Sequence, residues 1–215
     1  MMPNPDYEVL HENVYYFPNA IGEIANVVQA IEDVNSHAIT PWETWYANND
    51  SKENPYGDLK VMTWNNLEKE TDAATKGTAE YALNSVVGAL EACGRVFMEN
   101  HGATNLDLEA LHEDLYVLGQ VFGIRRYNEG KDMGPHNDRV LEDRDTYTIA
   151  AYLDDDYEGG QLVVQAPGAD VEIDLNAGSI VVFPSKYLHE SKKLLSGRKT
   201  MITHVHNAQR VILEP

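Results

Sequence analysis

Three side chains in this 215-residue sequence have the types and spacing to hold one transition-metal ion. His136 and Asp138 stand two apart inside RRYNEGKDMGPHNDR, residues 125–139, so an imidazole nitrogen and a carboxylate oxygen at the mouth of a strand can reach the same ion. A third ligand has to come from elsewhere. His189 offers it 53 residues on, just after the apolar run Ser179–Pro184. Two histidines and one carboxylate leave three positions of an octahedron open, a donor set that suits non-haem Fe(II) oxygenases. Taken alone, such short motifs are more often surface or capping residues. The residues downstream are what lift these above that reading.

The chain must supply elements that bring the three together. Residues 7–17 alternate loosely and predict an opening strand ended by Pro18. Residues 22–35 carry Ile24, Val27, Val28, Ile31 and Val34 at helical spacing. A longer helix is expected from about Ala79 to Asn100, with Leu83, Val86, Leu90, Cys93 and Phe97 on its apolar face. Cys93 lies inside that stripe, which makes it a core residue and not a thiol nucleophile. A short helix is expected over 107–118 and a strand over 120–127; from there the pattern is strands and turns. Helices first and strands later predict an α+β, mainly β fold: a double-stranded β-helix, or jelly-roll, with the N-terminal helices packed on one sheet. The chain reads as a single domain over 1–215, with supporting strands and helices in 1–119 and a core in 120–206.

Charge narrows the partners. With 35 acidic and 16 basic residues the net charge is −19, and no basic stripe suited to a phosphate backbone is visible. Nucleic acid is therefore not the expected partner. The single cysteine allows no internal disulfide, and no apolar run approaches a membrane span, so a soluble, cytoplasmic protein is expected, with no membrane partner.

The whole set of residues, His136-x-Asp138, Tyr152-Leu153-Asp154 through Glu158-Gly159-Gly160, Val182-Phe183-Pro184, His189 and Arg198, resembles the Fe(II)/2-oxoglutarate dioxygenases of the prolyl 4-hydroxylase family. An arginine nine residues past the distal histidine is similar to the oxygen-sensing prolyl hydroxylase branch and its small microbial or phage-encoded relatives. Collagen-type enzymes usually carry a lysine one position later, and Lys199 stands there. The resemblance implies Fe(II) held by His136, Asp138 and His189, with 2-oxoglutarate and O2 as cosubstrates and ascorbate as reductant. It also implies hydroxylation of a prolyl residue in a peptide or protein, with release of succinate and CO2. Related halogenases carry a small residue where Asp138 stands, so the carboxylate favours hydroxylation.

Strand alternation sets the two cations on opposite faces. Thr146, Thr148, Ala150 and Tyr152 share one face of their strand; Tyr147, Ile149, Ala151 and Leu153 share the greasier other. In the last strand Arg198, Thr200, Ile202 and His204 alternate with Lys199, Met201, Thr203 and Val205. Placing Met201 and Val205 under the helices turns Arg198 inward. A buried guanidinium needs an anion, either an internal acid or the distal carboxylate of 2-oxoglutarate, with Tyr152 and then Tyr127 as further cosubstrate contacts. The polar loop Asn48–Asp58 is expected to act as a lid, and Trp42, Trp45 and Tyr46 could line a proline groove. Two other functions share these residues: the same chemistry on a free amino acid or another side chain, and a non-catalytic metal- or sugar-binding jelly-roll.

Overall fold

The computed structural model describes residues 5–37, 43–44, 60–63, 73–100, 123–138 and 145–208. The expected lid Asn48–Asp58, the residues Trp42, Trp45 and Tyr46, and the helix expected over 107–118 lie outside the described residues.

The opening residues form two strands, β1 (Glu8–His11) and β2 (Val14–Phe17), where one had been expected. The reason is local: Asn13 adopts φ 62°, a left-handed conformation that asparagine tolerates, and the chain turns back on itself. Helix α1 (Ile24–His37) and helix α2 (Ala73–Asn100) follow the apolar spacing read from the sequence. Val27 and Ile31 of α1, and Val86, Leu90, Cys93 and Phe97 of α2, are all buried. Burial holds the Cys93 thiol well above its ordinary pKa, in keeping with a core role.

Short strands β3 (Glu43–Thr44) and β4 (Lys60–Thr63) precede the core strands β5 (Gly123–Asn128), β6 (Met133–His136), β7 (Asp145–Tyr152) and β8 (Tyr157–Gly159). The chain then forms β9 (Leu162–Ala166), β10 (Ala169–Ile173), β11 (Ile180–Pro184), β12 (Leu188–Ser191) and the long β13 (Leu194–Ala208). The major sheet runs in the order β1-β2-β11-β7-β13-β5-β4-β3, with β8 pairing β13, and the minor sheet in the order β10-β9-β12-β6. Every described pairing is antiparallel. Two sheets facing each other, with helices on the outer face of the larger one, make the predicted jelly-roll.

Two cores result. Phe17, Ile149, Ala151, Leu153, Ile180, Val182 and Ile202 of the major sheet pack against α1 and α2, with Phe97 meeting Tyr147 edge-on at 4.6 Å. On the sheet's other side Ala150, Tyr152, Val181, Phe183 and Met201 face Leu162, Val164 and Ile173 of the minor sheet. The alternation read for β7 holds: odd positions go to the helices, even ones to the space between the sheets.

Gly159 and Gly168 both take positive φ, 76° and 85°, but in different surroundings. A Cβ on Gly159 would collide with the Lys193 carbonyl oxygen, because β8 lies close against β13; one on Gly168, in the two-residue Pro167-Gly168 turn between β9 and β10, would meet nothing within 4 Å. Gly168→Ala should therefore cost only the backbone strain of about 1–2 kcal/mol. Gly159→Ala should cost clearly more, as seen in the urea midpoints of the two variants.

Candidate metal site and the cavity beside it

His136 and His189 are far apart in sequence but are direct partners in the β6–β12 ladder. Their rings lie 4.3 Å apart, and His189 meets Phe183 edge-on at 4.9 Å. Asp138 follows β6 by two residues and is tied down by its own N–H, which donates to the Ser185 carbonyl at 3.1 Å. The three side chains offer ligand atoms that all lie within 4.8 Å of one another. Asp138 Oδ1 is 3.7 Å from His136 Nε2, and Oδ2 is 3.3 Å from His189 Nε2.

Both imidazoles are oriented by backbone. His136 Nδ1 donates to the Gly134 carbonyl at 2.9 Å and His189 Nδ1 to the Tyr187 carbonyl at 3.1 Å. A carbonyl only accepts, so each Nδ1 carries the proton and each Nε2 lone pair is left for the shared point. Burial lowers the pKa of His136, and nearby His189 and Arg125 act in the same sense, which favours the neutral, ligating form. For Asp138 burial alone would raise the pKa. The contacts with His189, a hydrogen bond from Thr148 and the proximity of His136 outweigh it, and the carboxyl sits below its ordinary value. Two imidazoles and a carboxylate are a donor set that suits a divalent transition metal.

The triad lines one cavity with Arg125, Tyr127, Thr148, Tyr152, Phe183 and Met201. Tyr127 and Tyr152, expected at this site, are both buried there. Burial, followed by the neighbouring Tyr157 and Tyr127, pushes the Tyr152 pKa well up, so its hydroxyl stays a donor.

Arg198 is a correction. Its side chain lies 46% exposed on the helix side of the major sheet, where Nη2 pairs with Glu32 Oε1 of α1 at 2.9 Å; Arg126 Nη2 holds the same oxygen at 2.5 Å. The cause is register. Met201 lies opposite Tyr152 and Thr203 opposite Ala150, so odd-numbered residues of β13 face between the sheets. Met201 lines the cavity, and Ile202 is the residue that packs under the helices. Lys199, across from Tyr127, is the cation that turns in. It is 1% exposed, its Nζ lies 4.6 Å over the Tyr127 ring and donates to the Gly160 carbonyl at 2.9 Å, and it also hydrogen-bonds Ser191 Oγ. Burial lowers its pKa to about 7, with Asp154 acting weakly in the other direction. The sequence had offered both cations at adjacent positions; only strand pairing separates them.

Residues 122–206 match the sequence family described as the 2OG-Fe(II) oxygenase superfamily. A PKHD-type hydroxylase of Parvibaculum lavamentivorans is 32% identical over 80 residues, covering 35% of this chain and 36% of that protein. One from Crocosphaera subtropica is 33% identical over 101 residues, covering 41% and 46%. The chain thus spans less than half the length of either relative. In fold, the chain is similar to a prolyl hydroxylase from Trichoplax adhaerens solved in complex with a hypoxia inducible factor peptide fragment. The TM-score is 0.61 at 16% identity, covering 94% of this chain and 88% of that one. A Pseudomonas putida prolyl-4-hydroxylase gives 0.54 at 16% identity, covering 92% of each. Among the described residues no helix is long and apolar enough to cross a membrane.

Lys199 makes stability depend on pH. Unfolded, a lysine titrates near ~10.4; folded, this one titrates at about 7. Between those values the unfolded chain binds a proton that the native one does not, so stability rises with pH across the window, and the full penalty is felt below it. Wild type should gain stability from pH 7 to pH 10 relative to Lys199→Met, which lacks this contribution, in urea melts of the pair.

Proposed function

We propose that the protein is an Fe(II)- and 2-oxoglutarate-dependent dioxygenase that hydroxylates a prolyl residue in a peptide or protein. The observation that carries the reading is the convergence of His136, Asp138 and His189 on one cavity, two of whose lining residues, Tyr127 and Ser191, are touched by the buried Lys199. His136, Asp138 and His189 would hold the iron. Bound there with 2-oxoglutarate and O2, iron supplies the oxidation: the keto acid leaves as succinate and CO2, and a substrate C–H becomes C–OH. Lys199 takes the place first expected of Arg198 as partner of the distal carboxylate. Tyr152 donates a second hydrogen bond to it, and Tyr127 forms the wall on which the lysine stem rests. Phe183, Leu162 and Met201 keep the space between metal and lysine dry, which strengthens each charge contact. Ascorbate serves as reductant in the assay.

The substrate half of the proposal draws on the fold shared with prolyl hydroxylases, one of them solved with a peptide. A second reading has one observation of its own. Arg125 lines the same cavity as the metal ligands, and a guanidinium there suits a substrate bearing a carboxylate, such as a free amino acid. Incubation with Fe(II), 2-oxoglutarate and ascorbate, followed by mass spectrometry of a proline-containing peptide library and of free amino acids, decides between them. The expected result is a gain of one oxygen on proline within a peptide. Gain on free amino acids alone hands the case to the second reading, and succinate formation with neither substrate abandons both.

The cosubstrate assignment has a separate test. Anaerobic calorimetry with 2-oxoglutarate should show affinity lost by two to three orders of magnitude in Lys199→Met, about 3–5 kcal/mol for removing one partner of a buried ion pair, and little changed in Arg198→Ala. Because the free lysine titrates at about 7, wild-type affinity should fall above that pH by up to about tenfold per unit. Equal binding by wild type and Lys199→Met would refute the assignment.

A further inference from the structure

We propose that Ser185 and Thr148 form a hydroxyl relay that positions the Asp138 carboxylate for the metal. The proposal rests on the metal reading above, but its test reads metal binding and not turnover.

The terminal torsion of an aspartate is broad and roughly two-fold, so a ligand just beyond a strand end needs outside contacts to hold its plane. Thr148 Oγ1 donates to Asp138 Oδ2 at 2.9 Å, and Ser185 Oγ lies 2.9 Å from Thr148 Oγ1. An ionised carboxylate only accepts, and threonine has a single hydroxyl proton. That proton is given to Asp138, so Ser185 must donate to Thr148. The order Ser185 to Thr148 to Asp138 is therefore one-way. Thr148 is 1% exposed and Ser185 0%, which leaves solvent no easy access to either hydroxyl.

Ser185 also holds the other end of Asp138, since its carbonyl accepts the Asp138 N–H. It sits in the turn between β11 and β12, closed by the Tyr187 N–H donating to the Pro184 carbonyl at 2.9 Å. The Tyr187 carbonyl in that turn orients His189. One short turn thus braces two of the three ligands, and Thr148 is the link that carries its grip to the carboxylate. Thr148 and Ser185 are positioning residues: neither has to touch the metal.

The test titrates Co(II) into the metal-free full chain, by calorimetry and by visible ligand-field spectrum, with thermal melts of the same samples. Thr148→Val keeps the shape and removes the hydroxyl; it should weaken Co(II) binding by about ten- to a hundredfold and shift the spectrum. Ser185→Ala should move both readouts in the same direction, and Thr148→Ser should keep wild-type affinity and spectrum. Thr148→Val with wild-type affinity and spectrum overturns the relay. So does an equal loss in Thr148→Ser, which would make packing and not the hydroxyl responsible. If Thr148→Val fails to fold, Ser185→Ala against Thr148→Ser decides: weakened binding in the first alone supports the relay, and wild-type binding in both overturns it. Wild-type protein that takes up no Co(II) overturns the metal reading and the relay together, whereas normal wild-type uptake with an unaffected Thr148→Val overturns the relay alone.

Discussion

Strand β13 lies inside the major sheet, hydrogen-bonded to β7 on one side and β5 on the other, and the opposition of Met201 to Tyr152 decides which way its side chains face. A slip of one residue would exchange every inward group for an outward one. It would put Arg198 between the sheets and Lys199 against α1. Contacts on both faces resist the slip. Ile202 is fully buried beneath the helices beside Ile149 and Ala151, and Arg198 is held, together with Arg126, by Glu32 of α1. On the inner face Lys199 rests on Tyr127 and reaches the Gly160 carbonyl. The same pairing therefore docks a helix on one side of the sheet and shapes the cavity on the other.

The cavity belongs to neither sheet alone. The minor sheet contributes His136 and His189 as opposed residues of β6 and β12. The major sheet contributes Tyr127, Thr148 and Tyr152 from β5 and β7, and Lys199 of β13, the strand between them, rests on Tyr127. Apolar residues of both sheets, Leu162, Phe183 and Met201 among them, line it beside the three candidate ligands. Burial lowers the pKa of Lys199, because an ammonium is disfavoured away from water, and Asp154 opposes the shift.

Glycines act here through what they allow neighbours to do. Gly159 lets β8 approach β13 closely, and the next carbonyl, Gly160, becomes an acceptor for Lys199. The Glu158-Gly159-Gly160 stretch, part of the resemblance read from sequence, thus joins a backbone requirement to a polar contact in the cavity.

Several features were legible from the sequence because a local pattern encodes them. The three candidate ligands could be named since His136-x-Asp138 is a short-range spacing and His189 follows an apolar strand. The helix faces and the two sides of β7 were legible because one side of each is plainly greasier. The inward side of β13 was not, because Met201 and Val205 on one face balance Ile202 on the other, and only pairing with β7 breaks the tie. Nor did anything in the sequence point to Ser185 and Thr148 as a pair: they lie 37 residues apart, and a hydroxyl carries no periodic signal. Asn13 sat unremarked inside one expected strand, and its left-handed conformation appears only once β2 folds back on β1. Local chemistry settled which side chains could bind a metal. Which of the adjacent cations Arg198 and Lys199 turns in between the sheets, and what holds the carboxylate in place, depended on strand register, a long-range property that no short window of sequence contains.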